Sequence, residues 1–209
     1  MRGKFIVFEG GDGSGKSTFV ERLKKQFPDF VYTQDPGGTQ LGEQIRELLM
    51  SEKTSGIDVR AELLLFLASR AQMVAEVIRP ALESGKTVIA NRFALSSIAY
   101  QVYGRQRPEL LPLYRSVSDV ILEGVMPDAT ILLDVSPEIG LARAHSRPEE
   151  LSRFDLEALA FHKRVREGYA KHISEFGKPF IIDADRPLEE VWRNIEETIQ
   201  SVVSTKPMI

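Results

Sequence analysis

The chain has 209 residues, 43% of them hydrophobic, no cysteine and a formal net charge of −3. That length suits a single domain, 1–209, with one substantial core, and the small negative charge excludes a global electrostatic pull toward nucleic acid or an anionic membrane. Without cysteine there is neither disulfide nor thiolate metal site; with no apolar run of about 18 residues and no signal-peptide pattern, the chain reads as soluble and cytoplasmic, with no membrane or nucleic-acid partner.

Short apolar runs alternate with longer amphipathic ones, and there are no repeats. In chain order the pattern predicts a strand over Lys4–Glu9, a helix over Lys16–Phe27, a strand over Phe30–Thr33 and helices over Leu41–Ser51 and Val59–Ser84. A strand over Thr87–Asn91, a helix over Glu109–Glu123, a strand over Ala129–Val135, a helix over Leu156–Phe176, a strand over Pro179–Asp183 and a helix over Pro187–Val203 follow. The strands are continuously apolar, as strands covered on both faces must be. Strand–helix alternation predicts an α/β fold, a five-stranded parallel sheet with helices on both faces and ligands at the carboxyl ends of its strands.

The first strand runs into Gly10, Gly11, Asp12, Gly13, Ser14, Gly15, Lys16 and Ser17, a complete G-x-x-x-x-G-K-S phosphate loop opening a helix. Glycines let successive backbone N–H groups converge on phosphate oxygens, the helix N-terminus adds partial positive charge, Lys16 brings a full one and Ser17 offers a hydroxyl to magnesium. Other unusual residues collect at the same sheet edge. Pro36-Gly37-Gly38-Thr39, with Arg46 beyond, follows the second strand, and Asn91-Arg92, Ser96-Ser97 and Tyr100-Gln101 follow the third.

Phe66 and Arg70 stand i,i+4 on the longest predicted helix, about 6 Å apart at Cβ. They could stack on a base and hydrogen-bond its edge, or Phe66 could join Leu63, Leu67, Met73, Val74 and Val77 in the core while Arg70 makes a surface ion pair. Spacing by itself leans to the second reading. After the fourth strand Arg143, Arg147 and Arg153 flank a polar, proline-broken stretch, which reads either as a mobile lid over about 144–155 or as a solvated charged surface. A nucleoside triphosphate and a monophosphate in one cleft bring about six negative charges, and Lys16, Arg92, Arg147 and Arg153 are the cations available to meet them.

Taken together, the phosphate loop through Thr18, Pro36-Gly37-Gly38-Thr39 with Arg46, Leu65-Phe66-Leu67-Ala68-Ser69-Arg70, Arg92 with Ser96 to Gln101, Gly140-Leu141-Ala142-Arg143 and the later arginines resemble the thymidylate kinase family along nearly the whole chain. The resemblance implies a three-layer P-loop kinase that moves the γ-phosphoryl group of ATP to dTMP with Mg2+, as a homodimer. It implies that Gly10 to Thr18 and Arg143 bind ATP, with Ser17 on the metal and Lys16, Arg92, Arg147 and Arg153 as the catalytic cations. It further implies that Asp12, Pro36, Arg46, Phe66, Arg70, Arg92, Ser97, Tyr100 and Gln101 bind dTMP, with Phe66 against the thymine. An arginine-free phosphate loop beside an arginine-bearing lid is similar to the bacterial subtype.

The chain departs from the family pattern in two places. Asn91 stands where Asp is usual, leaving Glu9 and Asn91 to act on the metal through water or Asp12 to compensate, and Gln34-Asp35 replaces Arg-Glu, removing a charge near the acceptor. Two other functions therefore stay in view: a nucleotide or nucleoside kinase with a different acceptor, and a nucleotide-binding module of weak turnover.

Overall fold

The computed structural model describes residues 2–54, 56–146 and 151–204. Its sheet has parallel strands β1 (Phe5–Glu9), β2 (Val31–Gln34), β3 (Val88–Asn91), β4 (Ala129–Asp134) and β5 (Lys178–Asp183), ordered β2-β3-β1-β4-β5. β1 is central and buried along its whole length. Because successive side chains of a strand point to opposite faces, Phe5 and Val7 enter one core and Ile6 and Phe8 the other.

The second of these cores is closed by α1 (Lys16–Gln26) and α9 (Leu188–Ser204), through Phe19, Leu23, Ile195 and Ile199. The first is closed from the opposite face by α3 (Val59–Met73), α6 (Leu110–Leu122) and α8 (Leu159–His172). The chain steps from β1 to the edge strand β2, back to β3, then across to β4. Parallel register places Phe8 opposite Asn91 and Gln34 opposite Asn91, so the segments leaving β1, β2 and β3 emerge together at one sheet edge. That reversal of strand order is where an open α/β sheet makes a ligand crevice.

The strands lie within a residue or so of the expected ones, and the helices differ instructively. The stretch expected as one helix over Val59–Ser84 is α3, a π-helical turn over Val74–Ile78 and α4 (Arg79–Glu83). Pro80 has no N–H to donate one turn back, and just before it the Arg79 N–H reaches Val74 O, the longer i to i−5 step. Besides the short 3-10 turn Glu52–Thr54, two helical stretches were not expected. One, α5 (Ala94–Ser97) running on as a π-helical segment Ile98–Gly104, is buried nearly all round and so carries no amphipathic period. The other is the short α7 (Pro137–His145). The helix expected from Leu156 begins at Leu159 as α8, because Ser152 and Asp155 close a turn on each other before it. No helix among the described residues is long and apolar enough to cross a membrane.

Ile195 is wholly buried between α9 and the sheet. Ile195→Ala is expected to lower unfolding free energy by about 2–5 kcal/mol, read as a shifted urea midpoint at unchanged denaturant slope.

Candidate active site

Between β1 and α1 the phosphate loop turns on Gly13 and Gly15, both left-handed at φ 73 and 89. A Cβ on Gly13 would stand 1.9 Å from Gly140 O, so the loop lies directly on α7. Lys16 Nζ donates to Gly10 O (2.9 Å), Gly11 O (2.8 Å) and Ser14 Oγ (2.9 Å), which holds its ammonium within the loop. Asn91 Nδ2 donates to Ser17 Oγ at 3.2 Å, while Asn91 Oδ1 is buried without a hydrogen-bond partner among the described residues.

A continuous cleft of about 1340 Å³ runs along this edge. Phe66, Arg70, Ser97, Tyr100 and Gln101 line one end, Asp12 to Thr18 with Asn91 and Arg92 the middle, and Arg143, Ala184 and Arg186 the other end. Pro36 and Arg46 form part of the wall, and Arg46 Nη1 donates to Pro36 O at 3.1 Å. Burial lowers the Arg46 pKa, and the nearby charge of Arg92 lowers it further.

At the first end Arg70 is 1% exposed. Its Nε donates to Asp35 Oδ2 at 2.5 Å and its Nη2 to Ser97 Oγ at 2.8 Å, while Nη1 has no hydrogen-bond partner among the described residues. Arg70 is thus a buried donor held by Asp35, the reverse of a surface ion pair. Phe66 is partly buried, packing against the core while also lining the cleft.

Arg92 occupies the centre, in left-handed backbone at φ 70. Its Nη1 donates to Gly10 O (2.9 Å) and Tyr169 OH (2.8 Å), and its Nη2 to Asp12 Oδ1 (2.7 Å) and Tyr100 OH (2.9 Å). Burial opposes its charge, but Tyr100, Tyr169, Asp12 and Glu9 outweigh it and the guanidinium pKa is raised. Burial also pushes the Tyr100 and Tyr169 phenols well above their usual range, keeping both as neutral donors. Tyr100 OH donates to Asp12 Oδ2 at 2.8 Å. Burial works to raise Asp12, yet Arg92, Lys16, Tyr100 and His162 together hold it below the ordinary value.

Two expected residues, Glu9 and Arg153, are engaged with other partners. Glu9, expected near the metal, spends both oxygens on the turn after β3: Oε1 accepts from Phe93 N (2.9 Å), and Oε2 accepts from Ser96 Oγ (2.6 Å) and Tyr169 OH (3.1 Å). Burial raises its pKa. Arg153, expected to face phosphate, instead turns its Nη2 to Glu62 Oε2, 2.7 Å away in an ion pair whose angle falls short of a hydrogen bond, and its Nε to Leu49 O. Arg147 lies outside the described residues. Arg143 lines the far end of the cleft, its Nη1 donating to Ala184 O at 2.7 Å.

Sequence reading missed Tyr169, Glu62, Arg105 and Phe154. Glu62 had a signal: it extends the Phe66 and Arg70 stripe by one more i,i+4 step. Tyr169 had none, since it reaches Arg92 only because Gly168 lets α8 lie close on the segment after α5; a Cβ there would meet Ala99 Cα at 2.9 Å.

Asp12, held ionised below its usual range, contributes stability that is complete above the ordinary carboxylate pKa of about 3.9 and is lost as pH falls through the lowered value. Asp12→Asn should therefore cost about 1–3 kcal/mol at neutral pH. The gap from the parent protein should persist down to about pH 4 and close below it. Urea titrations at several pH values measure this.

Residues 8–195 match the family model described as Thymidylate kinase. The chain is 39% identical to the thymidylate kinase of Bacillus pumilus (strain SAFR-032), with 97% of this chain and 98% of that protein covered. It is 44% identical to that of Halothermothrix orenii (96% and 98% covered) and 46% identical to that of Solidesulfovibrio magneticus (90% and 96% covered). Several separate stretches of cleft residues and a match of this extent agree, and the chain belongs to the thymidylate kinase family.

Proposed function

We propose that the chain is a magnesium-dependent kinase of the cytoplasm that moves the γ-phosphoryl group of ATP to dTMP, giving ADP and dTDP. One observation carries this reading: in a chain of this family, a single cleft has a phosphate loop at its middle, an aromatic ring with a buried guanidinium at one end, and Arg143 with Ala184 at the other. Two nucleotides lying head to head would bring their phosphates together beside Lys16 and Arg92.

The polyphosphate would rest on Gly10 to Thr18 with the adenine toward Arg143. The thymine would lie against Phe66 with its 4-carbonyl at Arg70 Nη1, Ser97 and Gln101 completing that wall. Arg92 and Arg46, the latter tied to Pro36, would hold the acceptor phosphate, and Asp12 and Tyr100 would meet the sugar. We take 144–155 as a lid within one domain. Charge neutralisation from it falls to Arg147, and Arg153 fastens its end to Glu62.

An acceptor phosphate oxygen, already ionised near neutral pH, attacks the γ-phosphorus as the bond to the β,γ-bridging oxygen breaks and that oxygen leaves on ADP. No general base is needed, and catalysis is positioning and charge neutralisation. Ser17 Oγ and the unpartnered Asn91 Oδ1 suit a magnesium ion or its water. A magnesium ion is held mainly by phosphate and water, with one or two protein groups; among the described residues there is no group of three His, Cys, Asp or Glu that could hold a metal. Bound there it would neutralise phosphate charge.

We further propose a homodimer. The packed helices α3 and α6 expose Leu64, Leu113 and Val120, which suits a covered apolar face. Light scattering should give twice 23.5 kDa, and a monomer would reject it.

The deciding experiment is ADP release with Mg2+ and a panel of dTMP, dUMP, dCMP and thymidine. Turnover is expected to be greatest with dTMP; a preference for another acceptor, or tight binding with negligible ADP, sinks the proposal. Asn91→Asp should raise turnover or magnesium affinity by about 10-fold or more, as restoring a charged group behind metal-bound water does.

A further inference from the structure

Glu62 is 1% exposed, yet the reaction as described does not use it. It sits on α3 one turn before Phe66, on the face that carries Arg70. Its Oε1 accepts from Gln101 Nε2 at 2.9 Å. Its Oε2 lies 3.2 Å from Arg105 Nη2 and 2.7 Å from Arg153 Nη2. Arg105 is itself fixed, ion-paired to Glu157 with its guanidinium over Phe161 at 5.0 Å and Phe154 at 5.5 Å.

We infer that Glu62 is a specificity-determining positioning residue that sets which end of the Gln101 amide the acceptor base meets; this rests on the dTMP reading above. A carboxylate can only accept, so the amide must turn its NH2 on Glu62. Gln101 lines the cleft, and the group left for a ligand there is its carbonyl. Arg70, whose Nη2 donates to Ser97 one turn before Gln101, offers the adjacent Nη1, and arginine is donor-only. This end of the cleft therefore presents one donor beside one acceptor. The complementary edge is a ring carbonyl next to a ring N–H, as in thymine or uracil. Cytosine carries an amino donor beside a ring-nitrogen acceptor, reversed at both positions. Without an acceptor-only neighbour the glutamine amide could turn over and satisfy the reversed edge at one of them, so the polarity of the reader is set one residue behind it.

The isosteric Glu62→Gln isolates this chemistry. A glutamine has one acceptor oxygen, which Arg105 and Arg153 claim; its NH2 then faces Gln101, whose amide must rotate and show its NH2 to the cleft. The ratio of kcat/KM for dTMP over dCMP should fall by about tenfold or more, as expected when a buried hydrogen bond is mismatched, with KM for dTMP raised and KM for ATP unchanged. Glu62→Asp, still acceptor-only, should keep the ratio even where total activity drops. In a Gln101→Leu background Glu62→Gln should alter the ratio no further. Equal losses on both acceptors, or equal ratios in the Gln and Asp variants, would overturn the inference while leaving dTMP turnover by the parent protein intact. A parent protein that does not prefer dTMP would instead overturn the function on which it rests. Should the Glu62 variants not fold, NMR of the 15N-labelled parent decides: the Gln101 side-chain NH2 should exchange slowly with and without dTMP, and fast exchange in the free protein refutes the contact.

Discussion

Two guanidinium groups, Arg70 and Arg92, are held inside the protein at the carboxyl edge of the sheet, and most of the site exists to make that tolerable. Removing an ion from water carries a penalty of several kcal/mol unless charge and hydrogen bonds are both returned. Asp35 and Ser97 return them to Arg70; Asp12, two phenols and Gly10 O return them to Arg92. These partners come from the segments after β1, β2 and β3, and from α8. Satisfying the two arginines therefore fixes the relative positions of four pieces of chain. Donors fixed in this way need not reorganise when a phosphate or a base carbonyl arrives, and that is the source of electrostatic preorganisation.

The platform for this arrangement is apolar. β1 fills two cores at once, so its end cannot shift without disturbing both, and Gly10 and Glu9 are carried on that end. Glu9 shows how the scaffold and the site are joined. Its carboxylate is fully buried and fastens Phe93 N and Ser96, which forces the turn that places Arg92 in left-handed backbone. A residue beside the phosphate loop thus shapes the opposite wall of the cleft.

The sheet was legible because buried parallel strands are short, apolar and spaced by helices, and the phosphate loop because its mechanics require a fixed order of residue types. The segment Ala94–Gly104 was not legible as a helix, since burial on every side erases the polar face from which a period is read. Phe66 with Arg70 was half legible: spacing gave their common face, whereas the buried partner Asp35 comes from a segment thirty-five residues away. Tyr169 and the Glu62, Arg105 and Arg153 cluster are long-range pairings that sequence spacing cannot encode. Arg153 was read by composition as a lid cation, and composition says nothing of a single buried carboxylate waiting for it.

Asn91 is the point where this chain differs most from what the reaction would demand of a simple charge count. An aspartate there could only accept, so the Ser17 hydroxyl would donate to it and keep its lone pairs for a cation. Asparagine can do either, and here its NH2 donates to Ser17 Oγ, occupying a lone pair on the very oxygen a metal would need. A turn of the amide reverses this: Oδ1, which has no hydrogen-bond partner among the described residues, would accept from Ser17 and release that lone pair. The neutral side chain also leaves the mouth of the phosphate loop one unit more positive than the acid would, which favours polyphosphate as it weakens the hold on metal-bound water. On the function proposed above, Asn91 would thereby shift binding energy from the cation toward the anion, while the charges of Lys16 and Arg92 stay in place.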